Sequence, residues 1–137
     1  MPRKLPTRNV GYADLNLNEF WIERLEYTET PDLHDELMTP WVRVSRPKIL
    51  RSTSSSYLVT LRVEVLQDPR SVDVTIVGSF DFDPAGGGDE PSSRMLTYNG
   101  TAILFSAARG VIESVTGVSG YGRMHVPSVN IAELLDS

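Results

Sequence analysis

The chain contains no cysteine among its 137 residues. That removes thiol nucleophiles, thiolate zinc sites and any disulfide framework. It also has no apolar run near the length of a membrane span, about eighteen residues. The basic opening Met1-Pro2-Arg3-Lys4-Leu5-Pro6-Thr7-Arg8 is not followed by an apolar stretch of signal-peptide length. A soluble, cytoplasmic protein is the resulting expectation. Histidine is scarce: His34 and His125 stand apart, with nothing fixing a metal-ligand spacing around either. Gly86-Gly87-Gly88 lacks the lysine and the helix onset of a phosphate cradle, and no serine sits in a nucleophile elbow. Asp81, Asp83, Asp89 and Glu90 are acidic neighbours without the spacing or central glycine of a calcium loop. No catalytic, cofactor-binding or metal-binding residue is therefore nominated, and the expectation is a non-enzyme without cofactor. An excess of positive charge is missing too. Thirteen basic against eighteen acidic residues give −5, which argues against nucleic acid as the default partner.

What is present is β-patterned first and helical second. The length predicts one domain over 1–137. Residues 1–16 show no period and read as an irregular lead-in. From Asn18 to Thr30 the residues are β-prone, with Phe20 and Ile22 on one parity and Trp21, Leu25 and Tyr27 on the other; a parity shift at a bulge would reconcile them. Thr30 to Pro40 reads as a loop or a single helical turn. Trp41 to Leu50 is strand-like but interrupted by Pro47, which suits an edge or a bulge. Turn residues at 52–56 precede the strongest signal. Tyr57, Val59, Leu61, Val63 and Val65 alternate with polar neighbours. After Asp68-Pro69-Arg70-Ser71, so do Val72, Val74, Ile76, Gly78, Phe80 and Phe82, with Val77 the apolar exception. Two such runs joined by a short turn are a hairpin with one buried face.

Residues 84–93 read as a flexible crossover, after which the period changes. Asn99 is a candidate cap for a helix whose inner face carries Leu104, Ala108, Val111, Ile112 and Val115, with Gly117 or Gly120 as its stop. Asn130 and Glu133 have the spacing of a capping box, flanked by Val129 and Leu134, before a short last helix. The expectation is an α+β fold: a four-stranded antiparallel sheet, then a long helix and a short C-terminal helix packed on one face. One helix layer covers one face of a sheet. Leu58, Leu66 and whichever of Phe20 or Trp21 points outward then lie uncovered, and uncovered apolar sheet surface points to a partner. Phe20, Trp21, Trp41, Leu58 and Leu66 are the candidate client-binding or interface residues.

Charge is uneven as well. Asp14, Glu19, Glu23, Glu26, Glu29, Asp32, Asp35 and Glu36 crowd residues 13–37, with Arg24 the one arginine among them. Arg43, Arg46, Lys48 and Arg51 follow beside Trp41. Basic residues with an aromatic can bind a nucleic acid strand. A solvated strand neutralising its acidic neighbour explains the same residues without a ligand.

Asn99 onward reads Asn-Gly-Thr-Ala-Ile-Leu-Phe-Ser-Ala-Ala-Arg-Gly-Val-Ile. This resembles the helix of the bacterial export chaperone SecB and its relatives, with Leu104, Phe105, Ala108, Arg109 and Ile112 on the family pattern. Ser106 and Ala107 stand where the family has proline and tyrosine. The segment Val126-Pro127-Ser128-Val129-Asn130-Ile131 resembles the family's stretch before its last helix, with Ser128 in place of a second proline. Tyr57–Val65 and Gly78-Ser79-Phe80 resemble its third and fourth strands. The likeness runs over about residues 18–136.

The resemblance implies a sheet with helices on one side, a homotetramer built as a dimer of dimers, and a nucleotide-independent holdase. Such a protein binds unfolded client proteins, in export or, in some relatives, as the chaperone of an antitoxin. Export members deliver clients to the motor SecA through an acidic patch on the sheet. Here Glu64, Asp73 and Asp81 are interrupted by Thr75 and Val77, which argues against that delivery. The alternative is a non-catalytic oligomeric protein that uses the sheet face for self-assembly alone.

Overall fold

A computed structural model describes residues 15–30, 36–82 and 90–136, with the side chains of 90–93 excepted. Five strands and two helices follow in chain order: β1 Leu15–Glu29, β2 Trp41–Val44, β3 Lys48–Arg51, β4 Ser56–Gln67, β5 Arg70–Phe82, α1 Glu90–Thr116 and α2 Ile131–Asp136. The sheet is antiparallel throughout, in the order β1-β5-β4-β2, with β3 pairing farther along the same side of β4. β2 and β3 together make one broken edge strand, so the sheet has four positions across it. The break falls at Ser45–Pro47, and the Ser45 amide still donates to the Arg62 carbonyl at 3.0 Å. A proline lacking a ladder donor sits on an edge for that reason.

The alternation in β4 and β5 is realised. Val59, Leu61, Val63, Val65, Val72, Val74, Ile76, Phe80 and Phe82 are buried on one face, under α1. The hairpin closes at Asp68-Pro69 through a cis peptide bond, with Gln67 opposite Arg70. β1 resolves its conflicting parity with two register shifts, between Leu17 and Glu19 and between Ile22 and Arg24. Each extra residue flips the alternation. Ile22, Leu25 and Tyr27 thereby all reach the inner face, opposite Ile76, Val74 and Val72. The irregular lead-in ends earlier than the sequence suggests, since Leu15 and Asn16 already pair with Phe82 and Asp81; residues 1–14 lie outside the described residues. Of the Thr30–Pro40 segment, residues 31–35 are likewise outside, and 36–40 form no regular element.

α1 is longer than its pattern predicts. It starts at Glu90, so the last four residues of the expected crossover at 84–93 are helical and Asn99 lies inside the helix rather than capping it; residues 83–89 lie outside the described residues. Pro91 fits the first turn because amides there have no intrahelical acceptor. Asn99-Gly100 reads as a breaker, costing about 1 kcal/mol in propensity. Packing overrides that cost: Leu96, Gly100, Leu104, Ala108 and Ile112 form an unbroken i, i+4 row against the sheet, all buried. Val111 and Val115, expected on the inner face, are only half-buried at its margin, while Thr101 and Phe105 take buried positions instead. The helix ends at Thr116, and the Gly117 amide donates to Glu113. α2 starts as its sequence signal predicts, with Asn130 Oδ1 accepting from the Glu133 amide at 3.1 Å.

Close approach of α1 to β5 depends on Gly78. A Cβ there would lie 2.6 Å from Leu104 Cδ2 and 2.8 Å from Phe80, both fully buried. Gly78→Ala therefore overpacks the centre of the core, and urea unfolding should show a loss of about 1–3 kcal/mol. The control Gly110→Ala meets nothing within 4 Å; it should be neutral or gain up to about 1 kcal/mol through helix propensity.

Candidate functional site

The outward face of the sheet is covered by no described element. Its side chains follow from the register. Across the middle lie Arg24, Thr75, Arg62 and Ser45, then Glu26, Asp73, Glu64 and Arg43. Arg62 grips Asp73 with two hydrogen bonds, Nε to Oδ1 at 3.1 Å and Nη2 to Oδ2 at 2.7 Å, and lies 3.6 Å from Glu64. Arg24 pairs with Glu26 at 2.7 Å. This band is ionic but internally paired. The hydrogen bond from Arg62 holds the Asp73 carboxyl below the usual carboxylate range, against partial desolvation.

Apolar groups flank the band on both sides. At one end Trp41 stands opposite Leu66, the two 53% and 42% exposed. Arg43 lies 5.2 Å over the Trp41 ring, a cation–π contact that steadies the indole at the surface. At the other end Trp21 is opposite Val77, and Leu58 is opposite Leu50. Val77 is buried although no described helix covers that face. Leu50 is 65% exposed.

Of the five residues nominated from sequence, four therefore share this face. Trp41 and Leu66 make one patch, and Trp21 and Leu58 border the other. Phe20 does not join them. It stands opposite Gly78 on the helix-covered side, at the margin of β1, and keeps 44% of its surface exposed. Leu50 and Ile49 were not nominated. Their signal was present in the Trp41–Leu50 run, where pairing with Leu58 and Val59 fixes which face each takes.

A groove of about 530 Å³ lies behind the broken edge, between β3, α1 and α2, lined by Arg46, Pro47, Ile49, Arg94, Tyr98 and Leu135 among others. Tyr98 Oη donates to the Asp136 carboxylate, tying α2 to α1 at its rim. Among the described residues no group of histidine and acidic side chains could hold a metal ion, and no helix is long and apolar enough to cross a membrane. His125 and Asp81 are solvent-exposed, the latter accepting from Ser56 Oγ; His34 lies outside the described residues.

No family model and no curated protein matches the sequence. Among solved structures, the fold is similar to that of a SecB-like chaperone of Mycobacterium tuberculosis, Rv1957, solved with a ChAD peptide from the Rv1956 HigA1 antitoxin. The TM-score is 0.66 at 12% identity, over 85% of this chain and 91% of that one. A protein of unknown function from Streptococcus agalactiae is also similar, with TM-score 0.52 at 9% identity, over 83% of this chain and 97% of that one. The fold is thus SecB-like: an antiparallel sheet, a long helix and a short C-terminal helix.

The ionic band makes stability pH-dependent in a defined direction. A carboxyl whose folded pKa is depressed contributes stability above its unfolded value and loses it as pH falls through the folded one. Asp73→Asn removes that loss. Its urea midpoint should fall less steeply than that of the wild type below about pH 4, while at neutral pH it should be the less stable of the two.

Proposed function

We propose that this protein is a SecB-like holdase chaperone of the cytoplasm. It binds extended apolar segments of unfolded clients without nucleotide, cofactor or covalent chemistry. The observation that carries this reading is the sheet itself, covered by helices on one face and carrying exposed apolar patches on the other. Exposed tryptophan and leucine on a rigid, hydrogen-bonded surface bind apolar side chains by burial, at about 25 cal/mol per Å². An unpaired strand edge adds main-chain hydrogen bonds to an extended chain. Trp41, Leu66, Trp21 and Leu58 supply the first term, and Phe20 extends the apolar surface around the margin of β1.

Two client roles follow from the resemblance, and the charge pattern favours one. Delivery to SecA needs a free acidic patch. Here Asp73 and Glu64 both engage Arg62, and Arg24 takes Glu26, so the carboxylates across the middle of the outward face are paired. The antitoxin peptide in the mycobacterial neighbour supports the other role, an antitoxin as client. The assembly is a homotetramer, a dimer of dimers.

Aggregation assays with a slow-folding apolar client test this reading. Near-equimolar protein without ATP should suppress light scattering, and absence of suppression across several clients overturns the reading. Trp41→Ser combined with Leu66→Ser should weaken suppression several-fold with little change in the melting transition, since both side chains are already half exposed. Static light scattering should give a tetramer mass.

A further inference from the structure

The cations at residues 41–51 have a place in the fold that general apolar binding does not use. Arg43, Arg46, Lys48 and Arg51 all fall on or between β2 and β3, the free margin of the sheet, and no acidic residue lies between Trp41 and Arg51. The opposite margin, β1, carries Glu19, Glu23, Glu26 and Glu29. A chain of net charge −5 thus has one distinctly basic edge. Apolar side chains lie among the cations along it: Trp41, Ile49 and Leu50 are all exposed. Behind it, Arg94 adds a further cation to the groove under Ile49. Among the described residues, the carboxylates facing this region are Glu64, opposite Arg43, and Asp136, which is held by Tyr98. Positive charge exceeds negative there.

We propose that the β2–β3 edge selects extended client segments in which acidic side chains alternate with apolar ones, bound as an added strand. The inference rests on the chaperone reading and narrows its client class. An added strand sends alternate side chains to opposite faces, and so does this edge: Arg43 and Lys48 face outward beside Trp41 and Leu50, while Val42, Val44 and Ile49 face the helix side. Complementary charge then fixes register and speeds encounter, while the apolar positions supply burial. A nucleic acid strand fits less well, because Leu50 and Ile49 stand among the cations where phosphates would run. Edge cations and a proline also discourage pairing between copies of the sheet, so the edge accepts an acidic strand and rejects its own basic one.

The test is fluorescence anisotropy with three labelled probes: a peptide alternating leucine with glutamate, one alternating leucine with lysine, and oligothymidylate. The glutamate peptide should bind the full-length protein about tenfold more tightly than the lysine peptide at low ionic strength, and the gap should shrink as salt rises. Arg43→Glu with Lys48→Glu, both at exposed side chains, should reverse that order while circular dichroism shows the fold retained. Equal binding of the two peptides overturns the proposal. So does a preference for lysine, tighter binding of the oligonucleotide, or a preference that survives the double substitution. Aggregation suppression measured on the same samples separates the two readings. Suppression without charge selectivity removes the proposal and leaves the chaperone; no suppression by the wild type removes both.

Discussion

Contact between α1 and the inner face of the β4–β5 hairpin, made close by Gly78, is the constraint from which the other features of the molecule follow. The row Leu96, Gly100, Leu104, Ala108 and Ile112 joins Val59, Ile76 and Phe80 in one buried face, and at Gly78 there is no room for a further methyl group. A single helix of this length spans about 40 Å and covers one face of a twisted sheet. With no second layer in the described chain, the other face keeps whatever side chains the alternation assigns to it. The exposure of Trp41, Leu66 and Leu50 is therefore a consequence of topology rather than a local fault.

Polar ties then fix the segment that follows the helix. Arg70, 2% exposed at the hairpin tip, donates to Gln67, to Ser119 and to the Gly122 carbonyl at 2.5 Å. The last turn of α1 has no basic residue of its own. The guanidinium brings a cation to the loop leaving that negative end of the helix dipole. Arg109 donates to the Val126 carbonyl, Thr116 Oγ1 accepts from the Met124 amide, and Glu113 pairs with Arg123 at 2.8 Å. The hydrogen bond from Arg123 holds the Glu113 carboxyl below its usual range. These links press Met124 and Val126 into the core and carry the chain back along α1 to the Asn130 cap. α2 itself buries no residue fully, so its place depends on them.

Much of this was legible from the residues because period-two alternation in β4 and β5 admits one register and one inner face. Pro47 on an edge, the bulges of β1 and the cap at Asn130 were legible for the same reason: each is a local steric or hydrogen-bonding demand. The start of α1 was not. Asn99-Gly100 carries a local breaker signal, and burial of the row from Leu96 to Ile112 against the sheet outweighs it. Val111 and Val115 follow the helical period, yet the helix crosses the sheet so that Thr101 and Phe105 face inward. For the candidate site, sequence parity places Leu58 and Leu66 outward. The division of the outward face into two apolar patches by an ionic band depends on register across strands, which one sequence does not state. Phe20 and Trp21 could not be told apart until the bulge positions were known.

That division limits how the outward face can bind. Each patch offers two to four side chains already partly shielded by neighbours, far less than the roughly 800 Å² per partner of a stable interface. On the proposed chaperone reading, a client segment on one patch is held weakly and released readily, and the paired charges between the patches resist burial because desolvating them returns little. Strong retention of a long unfolded chain then requires several patches acting together. Joining copies of this sheet in one assembly raises the effective concentration of each further patch once the first is engaged. A tetramer on this reading is the means by which shallow, separate apolar surfaces hold a chain tightly without any one of them trapping it.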